Sequence, residues 1–424
     1  MDPGVNQTSR SAIRWALIVV GAILLGGVLV NAVWLHIFYP VSAVPSRAVP
    51  SGTAAIRLKW QFSGAGPVRG ALALGDDGTV FAASEDGFLY ALDPSGKLQW
   101  KFNAGPMAST PAIGADGTIL VTNRDQRVFA ISRGGAQRWA VGGGPYADKQ
   151  AGSIAAAVDA THLYTFWRGQ LRAVRLTDGW FDWPAGYGYE NGGSVEILRG
   201  GLVVYPGVGR IDAVDSTGRI QWQYPVMNPP LTVDTLTKNG GHVPGGNFWL
   251  DSGIAIADDG ALYACAVDSR LVALTPDGLF KWEFKTKTHS VNRATPLVAL
   301  DGTVYFASGD GALYALHPDG TQKWAANFNG GSIAATPMLA EDNTVYVVNG
   351  NALVAVSPEG EVLASAPIQG GAESSPTLAP DGTVYIASRD RKILAFAGTH
   401  GGLQNSAWPK FQGGPANSGR APSF

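Results

Sequence analysis

A tryptophan recurs along this chain at a nearly constant interval, and that interval constrains the fold more than any other feature. It stands at 60, 100, 139, 183, 222, 282 and 324, in contexts such as "LKWQF", "LQWKF", "IQWQY" and "FKWEF". Leu363 in "EVLAS" takes the next slot, so the steps are 40, 39, 44, 39, 60, 42 and 39 residues. One unit of about 40 residues is repeated, with a large insertion in the fifth step.

Each unit has the same internal pattern. Segments such as "DGTVFAAS" (77–84), "DGTILVTN" (116–123) and "DGTVYFAS" (301–308) join a turn to β-branched and aromatic residues, which favour strands. A second strand follows, as in "GFLYALDP" or "GRIDAVDS", then the Trp strand; "STPAIG", "ATPLVA" or "SSPTLA" opens the unit. Short antiparallel strands in a tandem unit of this length predict an all-β, eight-bladed β-propeller with four strands per blade. A closed ring buries both faces of every sheet and hides edges that a free sheet exposes. Asp-Gly hairpin turns argue against the rival, a parallel solenoid. The leftover strand "IRLKWQF" (56–62) is expected to complete the eighth blade beside residues 373–398 and so close the ring.

Ahead of the repeat, Trp15 to Phe38 form an uncharged and mostly apolar run, long enough to cross a bilayer as a helix. Arg10 and Arg14 precede it, which favours a cytoplasmic N-terminus. The expected organisation is a cytoplasmic segment (1–14), a transmembrane anchor (15–39), a linker (40–55), the propeller (56–403) and a capping tail (404–424). Cleavage after "VSA" (41–43) is the alternative, although the apolar run exceeds a usual signal core. The reading places the propeller outside a bacterial cytoplasmic membrane, single-pass and monomeric. With net charge −2 and no basic stripe, nucleic acid is not an expected partner.

"YALDPSGKLQW" (90–100), "DAVDSTGRIQW" (212–222) and "YALHPDGTQKW" (314–324) resemble the repeat of the PQQ-type, quinoprotein-like propeller family. "WPKFQGGPANSGR" (408–420) resembles the segment that caps such propellers near ring closure. The family includes dehydrogenases and non-enzymatic scaffolds, such as a lipoprotein of outer-membrane assembly. The resemblance implies the fold; for a dehydrogenase it would also imply PQQ with calcium, a vicinal cysteine pair and a catalytic aspartate. Cys265 is the single cysteine, so that pair is absent, and no motif here carries the other groups.

Ten Asp residues are followed directly by Gly, nearly all at one phase of the repeat. A catalytic carboxylate is needed once, whereas a turn former is needed in every blade, so these acids read as punctuation. By the same logic Trp60, Trp100, Trp139, Trp183, Trp222, Trp282 and Trp324 read as packing between blades. The six histidines show no metal-ligand spacing, and no nucleophile elbow or phosphate loop occurs. No catalytic residue, metal site or cofactor is expected.

Binding is expected where the repeat is broken. Three consecutive connections are long: 141–153, 184–194 and 225–252. They carry Tyr146, Tyr187, Tyr189, Asn191, His242, Asn247, Phe248 and Trp249, and the turn at 287–295 adds Asn292 and Arg293. Loops on a rigid scaffold are the usual place for recognition. The longest could instead plug the central channel. The expected function is a membrane-anchored scaffold binding an envelope protein or peptide; the alternatives are a quinoprotein-like oxidoreductase and glycan binding through the aromatic loops.

Overall fold

Strand-forming residues punctuated by Asp-Gly turns make each repeat unit one small antiparallel sheet. The computed structural model describes residues 53–142, 155–167, 170–183, 193–207, 209–226, 252–266, 270–286, 294–328, 333, 335–372, 374–398, 401–406, 408–414 and 416–419. Eight sheets follow one another along them, as the repeat predicts. In blade one the strands are Ala73–Leu74, Val80–Ala83, Phe88–Leu92 and Leu98–Asn103, ordered from the buried two-residue strand to the half-exposed outer one. Blade three has a vestigial outer strand: the Val174–Phe181 bridge and the Asp182 N to Ala173 O bond (3.0 Å) begin it. Pro184 then follows Trp183 in the sequence, and proline has no N–H to continue a ladder. No helix among the described residues is long and apolar enough to cross a membrane. The expected anchor at 15–39 lies outside them.

The repeated acids are turn formers. Asp77, Asp116, Asp301 and Asp381 each accept the backbone N–H two residues on, at 2.9–3.0 Å. The tryptophans join neighbouring blades, each donating Nε1 to a turn carbonyl of the next: Trp60 to Pro94, Trp100 to Arg133, Trp139 to Leu176, Trp183 to Ser216, Trp282 to Pro318 and Trp324 to Pro358. Trp222 keeps the packing over Gly278 but has no hydrogen-bond partner for Nε1 among the described residues. The turn under each ring needs glycine for two reasons. Gly320 has φ +86°, and a Cβ there would stand 2.6 Å from the Trp282 ring. Gly320→Ala should therefore cost about 2 kcal/mol in a denaturant melt. Gly200→Ala, with nothing within 4 Å of its Cβ, should be neutral.

Strand register corrects one reading. Ala91 pairs with Trp100 and Ala315 with Trp324; in blade seven the equivalent Ala355 pairs with Ala364, so Ala364 holds the slot assigned to Leu363. Leu363 faces outward and is 43% exposed. The missing indole belongs to the closure: β1 (Ala54–Ala55) lies parallel to Ala364–Ser365, and Ile56 packs in the same core as Ala364 and Phe396. β2 (Leu58–Ser63) then pairs with Lys392–Ala397 and completes blade eight, as expected.

Two further devices hold the ring. Hydroxyls of the opening segments accept N–H groups from the preceding blade: Thr110 from Ala71 (3.1 Å), Thr295 from Gly253 (3.0 Å), Thr336 from Thr295 (2.9 Å) and Ser375 from Thr336 (3.0 Å). The C-terminal segment fills one end of the channel and satisfies the free edges of the inner strands. Ile113 N, Val158 N, Ile197 N, Val298 N and Leu339 N donate to carbonyls of Ala416, Ser418, Gly419, Trp408 and Pro409 at 2.7–3.0 Å. Trp408, Lys410 and Asn417 are fully buried there.

Candidate functional site

Successive strands alternate in direction, so every connection from an outer strand to the next inner strand leaves on the same face. The described ends of the three long connections therefore lie on one face, in blades two to five. Tyr146, Tyr187, Tyr189, Asn191, His242, Asn247, Phe248, Trp249, Asn292 and Arg293 all lie outside the described residues. The choice between site and plug for 225–252 falls there as well. The described residues supply the ground beneath those connections.

That ground departs from the rest of the ring in its side chains. The third residue of the third strand is apolar or aromatic in six blades: Tyr90, Phe129, Val272, Tyr314, Val354 and Leu394. Blades three and four place Arg172 and Asp212 there. Burying a charge is costly unless it is compensated, so a charge in a slot that six sister blades fill with hydrocarbon calls for a reason.

The two charges are handled differently. Asp212 is fully buried, but Arg210 Nε lies 2.8 Å and 2.9 Å from its two oxygens, Gln223 Nε2 donates at 2.8 Å, and the Tyr205 hydroxyl bonds it too. Burial still outweighs the guanidinium and holds this carboxyl above its ordinary range. Tyr205 in turn stands edge-on to Phe166 of blade three, 5.7 Å between centroids. In blade five, Arg270 Nη1 pairs with Glu283 at 3.0 Å and Nη2 donates to Val226 O at 2.9 Å.

Arg172 has no such carboxylate among the described residues. Its guanidinium lies 5.5 Å from the Trp167 ring and 5.8 Å from that of Phe181. Nη1 donates to Trp183 O at 3.1 Å, in place of the ladder bond that ends there, and Nη2 to Gln170 Oε1 at 3.0 Å. Trp167 also lies close to Gly142, at the end of blade two's outer strand, where the first long connection departs.

Cys265 is buried in hydrocarbon, and burial pushes its thiol far up. His162 joins the Thr161 hydroxyl (2.9 Å) to Asp182 (2.8 Å), but Thr161 also bonds Asp159 (3.0 Å), so the row fastens a turn to the outer strand. No group of three or more His, Cys, Asp or Glu side chains suited to a metal occurs among the described residues. Among the described residues, the hydroxyls of Thr110, Thr295 and Thr336 are engaged in blade-to-blade bonds, and the C-terminal segment bonds the inner strands.

The departure from the repeat was readable in "GQLRAVRL" and "GRIDAVDS", where Arg and Asp interrupt an otherwise apolar position. Attention to loop length alone passes over it.

The family model described as outer membrane protein assembly factor BamB matches residues 50–208 and again 207–420. The chain belongs to that family. No curated protein sequence matches it. Among solved structures it is similar to BamB from Moraxella catarrhalis, at 17% identity and a TM-score of 0.64, over 81% of this chain and 100% of that one. The computationally designed Ika8 protein (14%, 0.63, 82% and 100%) and the C-terminal WD40 domain of Sif2 (12%, 0.64, 82% and 99%) are similar to the same degree. Identities this low speak for the propeller fold alone, which hosts many functions.

Proposed function

We propose that this BamB-family propeller is a non-enzymatic interaction scaffold of the bacterial cell envelope, held at the cytoplasmic membrane by residues 15–39, with the propeller outside. One observation carries the interaction reading: in blades three and four, a half-buried Arg172 and a fully buried Asp212 replace apolar residues, in the stretch of the ring from which the three consecutive long connections depart. Structural economy would remove such charges, since hydrocarbon fills the same slot elsewhere; recognition retains them. The match to an outer-membrane assembly factor supports a polypeptide partner in the envelope. The uncharged apolar run behind Arg10 and Arg14 supports the anchor.

The test is crosslinking in the native envelope followed by capture of the full chain, with residues 227–251 replaced by a short Gly-Ser connection that leaves Pro225 and Val226 in the blade. The shortened protein should lose its specific crosslinked partner yet keep its melting transition, because the loop lies outside the repeat. Retention of the same partner at the same yield would refute the assignment of this face.

A further inference from the structure

We propose that Arg172 receives a carboxylate from an acidic side chain on the partner polypeptide, with Trp167 and Phe181 holding its guanidinium in place. This deepens the scaffold reading and rests on it.

The nearby Arg210 and Arg270 each have a carboxylate of their own, Asp212 and Glu283. Arg172 has two neutral oxygens, and among the described residues no acid pairs with it. Its burial lowers its pKa with no opposing charge to restore it. Arg172 Nε is buried without a partner, and so is Thr165 Oγ1, directly across the strand pair. Each unsatisfied buried group costs about 1–3 kcal/mol. No such pair of orphaned polar atoms is found at the equivalent position of the other blades among the described residues.

A guanidinium is a planar fork that matches a carboxylate in a bidentate pair and stacks on aromatic faces. Trp167 and Phe181, 5.1 Å apart between centroids, limit the freedom of that plane. Trp167, Gln170, Arg172 and Phe181 are all partly exposed, so an incoming side chain can reach the group. The Gln170 amide is the neutral oxygen a carboxylate would displace. An acidic residue suits this group, because one guanidinium supplies a single fork that one carboxylate fills.

The test uses the full chain in detergent and two labelled synthetic peptides, in which Thr alternates with Glu or with Gln. The Glu peptide should bind and the Gln peptide should not. Arg172→Leu should weaken Glu-peptide binding at least about tenfold, with Arg172→Lys in between. Because Leu restores the residue type that the sister blades carry, Arg172→Leu should also melt no lower than the parent. Equal binding of the two peptides, no binding up to about 1 mM, or binding unchanged in Arg172→Leu would overturn the proposal. So would a marked fall in melting temperature, which would mean that the chain itself compensates the charge. Any of these leaves the scaffold reading standing if loop shortening still abolishes crosslinking, so the two failures are separable.

Discussion

Trp408→Ala should lower the stability of the propeller by about 3–5 kcal/mol, the range for emptying a fully buried tryptophan site. Trp408 has 0% exposure and lies in the core formed by Val298, Ile256 and Leu198. Its carbonyl accepts Val298 N at 3.0 Å, and the following Pro409 accepts Leu339 N at 2.7 Å. Losing the indole thus removes apolar contact from the channel and loosens the strap that satisfies the inner edges of blades six and seven. The size of the residue decides this cost, not its polarity: Trp408 Nε1 is buried without a partner. Trp408→Phe should therefore be mild. Trp282→Phe, which forfeits the 2.9 Å bond to Pro318, should cost more than Trp408→Phe relative to the volume removed. Trypsin supplies an independent readout, since Lys410 is fully buried and the parent should resist cleavage there. Trp408→Ala that melts like the parent and still resists trypsin at Lys410 would show that the tail does not brace the channel.

The blade and the ring were legible in the sequence because a repeat multiplies weak local signals. One Asp-Gly pair says little, whereas the same pair at one phase in most units leaves turn formation as the economical reading, and Asp301 accepting Thr303 N is its physical form. Closure by Leu58–Ser63 was legible from counting alone. Ala364 was not: one β-bulge separates the turn from the Trp slot, and an aliphatic residue on either side of it satisfies the pattern. The tail shows the same limit. Residues 404–424 read as a cap, yet backbone hydrogen bonds to inner strands of five blades have no side-chain signature. At the proposed binding face the sequence pointed to where the repeat is interrupted by insertion. It equally contained Arg172 and Asp212, substitutions that keep the length and change only the chemistry.

Glu196→Gln should stabilise the protein by about 4 kcal/mol at pH 8 and by almost nothing at pH 4, which a pH series of denaturant melts would read. Glu196 sits on the inner strand of blade four, where the other blades carry Ala, Leu, Met or Thr. It serves a local need: Oε1 accepts the Ile254 N–H (3.2 Å) and the Ser194 hydroxyl, and Ile254 stands where several blades place a proline with no N–H to satisfy. The carboxyl is fully buried, Oε2 has no partner, and burial pushes its pKa from 4.5 up to about 8. The sign follows from proton counting. Between those values the folded chain holds a proton that the unfolded chain has released, so stability falls as pH rises from 4.5 toward 8, then levels off. Glutamine keeps the acceptor for Ile254 and never ionises, so it removes the slope. Lys410 acts in the opposite sense: burial lowers its pKa from 10.5 to about 7, and stability rises with pH across that window. Comparing Glu196→Gln with the parent at each pH cancels the lysine and isolates the carboxyl. Glu196→Ala separates the two roles, because it also ends ionisation but strands the Ile254 N–H, at about 1–3 kcal/mol. Alanine should therefore be worse than glutamine at every pH and worse than the parent in acid. Parallel pH profiles for the parent and Glu196→Gln would mean that the carboxyl ionises freely in the folded ring, and its placement between blades four and five would then be wrong.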